Sequence, residues 1–198
     1  MVKLIIFDIG QVLVQTNFPK LYTDFAETLG ISPEFVADYH KKNMDELLLG
    51  HIPLEGFIHD MHKESGKTHE EIRAAWLRNA LEIRGVNSAL LNLVDELRKK
   101  YKLCTLTNLI PTRVLVDKAQ GIYEHFDANI LSCEEHLKKP DPEFFKIALN
   151  KFSMNPEDAV FIDDKESMVE AANSLGIKGI VFHNNEQLIA EFQQLHLL

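Results

Sequence analysis

The sequence predicts an α/β fold: a parallel sheet flanked by helices and interrupted, after its first strand, by an all-helical insertion. Three observations carry that prediction. Apolar runs without alternation recur along the chain, as in strands buried on both faces. From the second run onward they alternate with helical patterns, as in βαβ units. Between the first and second runs lies a stretch, residues 15–85, with helical periodicity and no convincing strand. An ordinary crossover needs far less chain than this.

The first strand is Leu4-Ile5-Ile6-Phe7, and Asp8 ends it. In the insertion, Leu21, Phe25 and Leu29 share one helical face, and Ile72, Ala75, Trp76, Ala80 and Ile83 share another. Helix starts are readable. Ser32-Pro33-Glu34 is a cap, a proline at the first helical position and an acid facing the dipole. Thr68 with Glu71 fits a capping box. Leu90, Val94, Leu97 and Tyr101 form a helical stripe ahead of a second strand at 103–106, and a third strand follows at 128–131. Asp141-Pro142-Glu143 then opens a helix carrying Phe145, Ala148, Leu149 and Phe152, before strands at 160–162 and 179–182. Residues 1–14 and 86–198 are thus expected to form the core, and residues 15–85 a cap over the sheet's carboxyl edge. The crossings at 14–17 and 84–87 are the hinge candidates, with Gly85 able to absorb a dihedral change.

With 198 residues and an apolar fraction of 45%, the chain has the size and composition of an ordinary globular protein. A formal charge of −9 gives a polyanion such as nucleic acid no help from the global field. No apolar run approaches the roughly 18 residues of a membrane span. Met1-Val2-Lys3 leads straight into a strand pattern with no separate signal region. Cys104 and Cys133, near predicted strand ends, are expected to be reduced packing residues, in keeping with a cytoplasmic location. Nothing in the sequence fixes an oligomeric state.

Four segments carry polar groups to strand ends: Asp8-Ile9-Gly10-Gln11-Val12, Thr107-Asn108, Lys138-Lys139-Pro140-Asp141, and Asp163-Asp164. A parallel sheet gathers all four on one edge, where open α/β folds bind ligands. Asp8 with Asp163 or Asp164 offers hard oxygen ligands suited to Mg²⁺, and a sharp turn at Gly10 would add a backbone carbonyl. Thr107 and Asn108 are neutral groups able to hold phosphoryl oxygens. Lys139 is a point charge for phosphate and for keeping neighbouring carboxylates ionised. With phosphate charge screened in this way, Asp8 could attack phosphorus and form an aspartyl-phosphate that water hydrolyses.

These motifs resemble those of the haloacid dehalogenase (HAD) superfamily, over most of the chain. The resemblance implies a Rossmann-like core with a C1-type helical cap and an Mg²⁺-dependent phosphatase acting on a small phosphorylated metabolite. Within the superfamily the motifs are similar to those of small bacterial phosphatases of sugar phosphates such as glucose 1-phosphate. It implies Asp8 as nucleophile and metal ligand, Gly10 as carbonyl ligand, and Asp164, with Asp163 beside it, at the metal. Thr107 and Asn108 would contact phosphate, and Lys139 would stabilise charge. The segment Leu49 to Phe57 is similar to one lying near substrate in capped members.

Two positions depart from that pattern. Phosphatases of the superfamily usually carry a second aspartate two residues after the nucleophile, as general acid and base, and Gly10 stands there. General acid catalysis is worth about 10²–10⁴-fold, so a good leaving group or a cap residue would have to compensate. His51 is the first candidate, since imidazole titrates near neutral pH, followed by His40, Lys41 and Lys42. Met168 stands where relatives often have an acid or amide. Two other readings remain: a metal-independent 2-haloacid dehalogenase, which leaves the Asp163-Asp164 pair without a purpose, and a catalytically weak protein binding a phosphorylated ligand or a partner protein.

Overall fold

The computed structural model describes residues 2–198. Its centre is a five-stranded sheet built from β1 (Leu4–Phe7), β4 (Lys102–Thr107), β5 (Ala128–Leu131), β6 (Ala159–Asp163) and β7 (Lys178–Val181). The order is β5-β4-β1-β6-β7 and every pairing is parallel. The unbroken apolar runs have the predicted consequence. Ile5, Phe7, Val160 and Ile162 point into one core, and Leu4, Ile6, Cys104 and Phe161 into another. Both faces are therefore covered. The first core is closed by α5 (Ser88–Leu97) and α9 (Asn185–Gln194), the second by α7 (Pro142–Phe152) and α8 (Glu166–Ser174).

Four helices follow the first strand: α1 (Phe18–Leu29), α2 (Pro33–Leu48), α3 (Leu54–Ser65) and α4 (His69–Ile83). They have a core of their own, in which Phe25 and Phe57 each pack edge to face with Trp76. The expected caps are in place. Ser32 Oγ accepts from the Phe35 N–H, Thr68 and Glu71 form the reciprocal box, and the Asp141 carboxylate accepts from the Glu143 N–H. This helical cap is tied to the rest of the chain through α6 (Pro111–Ala119). Val116 enters the cap's core, and the Trp76 indole N–H donates to the Thr112 carbonyl at 3.2 Å.

The passage into and out of the helices differs from the expectation of no strand. Short strands β2 (Val14–Thr16) and β3 (Arg84–Val86) pair antiparallel, Gln15 opposite Gly85. Three residues are too few for an alternation to emerge, and a glycine and an arginine dilute what there is. A buried ion pair between Arg84 and Asp117 of α6 fastens β3, and the Tyr123 hydroxyl donates to the other Asp117 oxygen at 3.1 Å.

Both cysteines are free, and Cys104 is fully buried in the sheet. No helix among the described residues is long and apolar enough to cross a membrane.

Candidate active site

β1 is the point at which the strand order reverses, with β4 on one side and β6 on the other. A crevice therefore opens beyond its carboxyl end, and Asp8 is the first residue there. The segment that follows folds back on itself, with the N–H groups of Leu13 and Val14 donating to the Ile9 carbonyl. The sharp turn expected at Gly10 has its left-handed residue one position later, at Gln11, with φ 59°. What glycine does at position 10 is leave space. A Cβ there would stand 3.6 Å from Asp8 Oδ2 and 3.8 Å from Arg113 Nη1, ordinary van der Waals distances.

Lys139 arrives from the segment after β5. Its side chain is 3% exposed, and its ammonium donates to Asp8 Oδ1 at 2.8 Å and to Asp163 Oδ2 at 2.6 Å. Burial works against this charge, but the two carboxylates outweigh it and hold the lysine pKa above its ordinary value. Asp163 has its second oxygen occupied as well, accepting from the Lys165 N–H at 2.9 Å. Asp164 is less buried than Asp163. Burial, then the nearby Asp8 charge, raises its carboxyl pKa. Each of Asp8, Asp163 and Asp164 offers an oxygen within 4.8 Å of the others.

Asn108 sits just past β4. Its side-chain N–H donates to the Lys139 carbonyl at 2.9 Å, while its oxygen accepts from the Lys139 N–H at 2.8 Å. Together with Gly10, Gln11, Phe18, Arg113, Lys165 and Met168, these acids, Asn108 and Lys139 surround a cavity of about 180 Å³. Phe18 comes from the first helix of the cap, so the cap forms part of the wall.

The fold thus brings Asp8, Gly10, Asn108, Lys139, Asp163 and Asp164 to one cavity. Thr107 is buried at the end of β4 and does not line it. His51 does not reach it either. Its Nδ1 lies 2.9 Å from a Glu46 oxygen, and its ring stacks on His136 with centroids 6.1 Å apart. The reason is the preceding residue: Gly50, at φ 71°, packs so tightly on the Cys133 carbonyl that a Cβ would come within 1.9 Å. That contact fixes the 49–51 segment against the core, away from Asp8. His40 is 1% exposed, and its ring stacks on those of Tyr22 and Trp76 inside the cap. Lys41 and Lys42 are exposed.

Sequence reasoning missed Gln11, Phe18, Lys165 and, above all, Arg113. The Arg113 guanidinium lies 5.4 Å from the centre of the Phe18 ring, and its Nε and Nη2 are buried without a hydrogen-bond partner among the described residues. Burial lowers its pKa, opposed by the Asp117 carboxylate. It belongs to no motif, and only the packing of α6 against the cap turns it inward.

The sequence profile described as "Hydrolase: haloacid dehalogenase-like hydrolase" matches residues 2–176. The phosphorylated carbohydrates phosphatase of Thermotoga maritima is 28% identical over 187 residues, covering 89% of this chain and 82% of that protein. The bifunctional epoxide hydrolase 2 of Sus scrofa is 24% identical over 96% of this chain, which spans only 38% of that protein's length. A solved HAD family enzyme of Bacteroides thetaiotaomicron superposes with a TM-score of 0.78 at 25% identity, over 96% of this chain and 98% of that one. The same enzyme has been solved in complex with magnesium and inorganic phosphate, with a TM-score of 0.77 and 23% identity over 95% and 99% of the two chains.

Proposed function

The chain belongs to the haloacid dehalogenase-like hydrolase family, and from that premise we propose that it is an Mg²⁺-dependent phosphatase of a small phosphorylated metabolite, a sugar phosphate by class. The single observation that carries the reading is the arrangement of Lys139 between Asp8 and Asp163, with Asp164 alongside. Each of the three carboxylates offers an oxygen within 4.8 Å of the others, a cluster that a cation among them would stabilise. The donors are all oxygen, the set preferred by Mg²⁺. Asp8 and Asp164, with the Gly10 carbonyl, would hold the ion, which supplies charge to offset that of the transferring phosphoryl group.

The chain's own residues divide the remaining work. Asp8 attacks phosphorus, forming an aspartyl-phosphate as the bond to the leaving oxygen breaks, and water then cleaves the Asp8–phosphorus bond. Lys139 offsets phosphoryl charge, and Asp163 holds Lys139 in register. Asn108 fixes the Lys139 backbone and can present its second amide N–H to the phosphoryl oxygens. The cap, residues 15–85, closes the cavity on the organic part of the substrate through Phe18, pivoting about the paired crossings at β2 and β3. The phosphorylated carbohydrates named for the Thermotoga relative support a sugar phosphate as the substrate class.

The test is phosphate release across a panel of phosphorylated metabolites, with Mg²⁺ and with EDTA, beside the Asp8→Asn variant. Release in Mg²⁺, abolished by EDTA and reduced at least about 10⁴-fold by the substitution, is the expected result. Turnover that survives EDTA or the loss of the Asp8 carboxylate would overturn the reading, as would no release from any compound.

A further inference from the structure

We propose that Arg113 is a catalytic residue of this site, binding the substrate oxygen that departs from phosphorus as Asp8 attacks. The proposal rests on the phosphatase reading above and adds to it the group that acts on the leaving oxygen.

Consider first what Arg113 lacks. Its Nε and Nη2 are buried and unpaired among the described residues. The carboxylate one helical turn away, Asp117, is already engaged, one oxygen by Arg84 and the other by the Tyr123 hydroxyl. A buried cation without a hydrogen-bonded partner is costly, and the nearby Asp117 charge offsets that cost only in part. Phe18 accepts the flat of the guanidinium and keeps it against the cavity wall.

Next is where Arg113 points. A Cβ at position 10 would stand 3.6 Å from Asp8 Oδ2 and 3.8 Å from Arg113 Nη1, so the space left bare there borders both groups. A phosphoryl group seated in front of Asp8 would lie beside Arg113, and its leaving oxygen is assigned to that side. Lys139 is held at Asp8 Oδ1 and Asp163, so the two cations serve different oxygens.

Arg113 cannot act as an acid, because guanidinium stays protonated. It acts by charge-assisted hydrogen bonding to an oxygen that becomes negative. An Asp8 carboxylate electron pair forms the new O–P bond, and the old P–O bond breaks with its electrons going to the leaving oxygen. Arg113 holds that oxygen as an alkoxide until it takes a proton from water. The hydroxide so formed then attacks phosphorus, releasing inorganic phosphate and restoring the Asp8 carboxylate. No other reactant is needed. Gly10 is thereby explained, since its bareness gives the guanidinium access.

The test compares wild type, Arg113→Met and Arg113→Lys on phosphate monoesters whose leaving groups run from a sugar alcohol to p-nitrophenol, with thermal unfolding measured for each protein. For Met, kcat/KM is expected to fall by about 10²–10³-fold on the sugar phosphate and by much less on p-nitrophenyl phosphate, whose leaving oxygen needs little help. Lys keeps the charge, so it should fold as wild type and recover part of the loss. Equal losses across the series would overturn the proposal and leave Arg113 as a phosphoryl or structural contact, as would no loss. Absence of phosphate release by wild type on every ester would instead bring down the phosphatase reading, and this proposal with it.

Discussion

Asn108 grips the backbone of Lys139 from both sides, donating to its carbonyl at 2.9 Å and accepting from its N–H at 2.8 Å. The first residue past β4 thereby sets the height at which the lysine ammonium meets Asp8. The amide donates through its nitrogen and accepts through its oxygen, so one side chain satisfies both backbone groups at once. The loop after β5 otherwise has no strand to hold it.

Replacing Asn108 with alanine leaves two backbone groups short of a partner, at a cost of about 2 kcal/mol. The same change frees Lys139 to drift, and a misplacement near 1 Å is worth about 10²-fold in rate. Asn108→Ala should therefore lose both stability in urea and kcat on the best phosphate ester. Asn108→Asp, which keeps the acceptor but turns an oxygen toward the Lys139 carbonyl, should lose kcat as well. Unchanged kcat in both variants would show that the grip is incidental.

His40 predicts how stability follows pH. Burial among Tyr22, Tyr39, Phe57 and Trp76 pushes its pKa from 6.5 down to about 4, with the Val36 carbonyl opposing weakly. Its Nε2 is buried with no partner among the described residues, so a proton there would be an unpaired charge. Between these two values the unfolded chain binds a proton that the folded chain refuses. Stability is then fully present above about pH 6.5 and falls as pH drops toward 4, in total by on the order of 3 kcal/mol. Urea unfolding at pH 7 and pH 5 should show that slope in wild type and a flatter one in His40→Phe. Parallel slopes would exclude His40 as the source.

The parts of the site that were legible share a physical cause. Asp8, Asp163 and Asp164 stand at the carboxyl ends of apolar runs, and a run buried on both faces has nowhere to place a carboxylate except at its end. Lys139 was legible from its order among these segments, and the helix starts from cap chemistry at Ser32, Thr68 and Asp141. Arg113 and Phe18 were not, because their meeting depends on α1 and α6 packing across the boundary between cap and core. No local pattern encodes such a contact. His51 misled for a related reason: its chemistry suits a proton shuttle, but Gly50 anchors the backbone beside it to Cys133. The strands β2 and β3 were missed because three residues apiece carry too little periodicity.

Gly10 offers a last prediction, in which stability and activity move in opposite directions. Its φ lies outside the left-handed range, and a Cβ would touch Asp8 and Arg113 only at ordinary contact distance. Alanine should therefore be accepted by the fold, and the loss of backbone freedom in the unfolded chain should stabilise the protein by about 0.4–1 kcal/mol. The added methyl, however, occupies space beside Asp8 Oδ2 and Arg113 Nη1 that a phosphoryl group in front of Asp8 would use. Gly10→Ala should consequently lower kcat/KM on a sugar phosphate by about tenfold or more, while the urea midpoint rises. A destabilised variant would mean that the turn at Gln11 needs glycine before it. A stabilised variant with undiminished turnover would mean that substrate does not use this space, and that the bareness of position 10 has no part in the reaction.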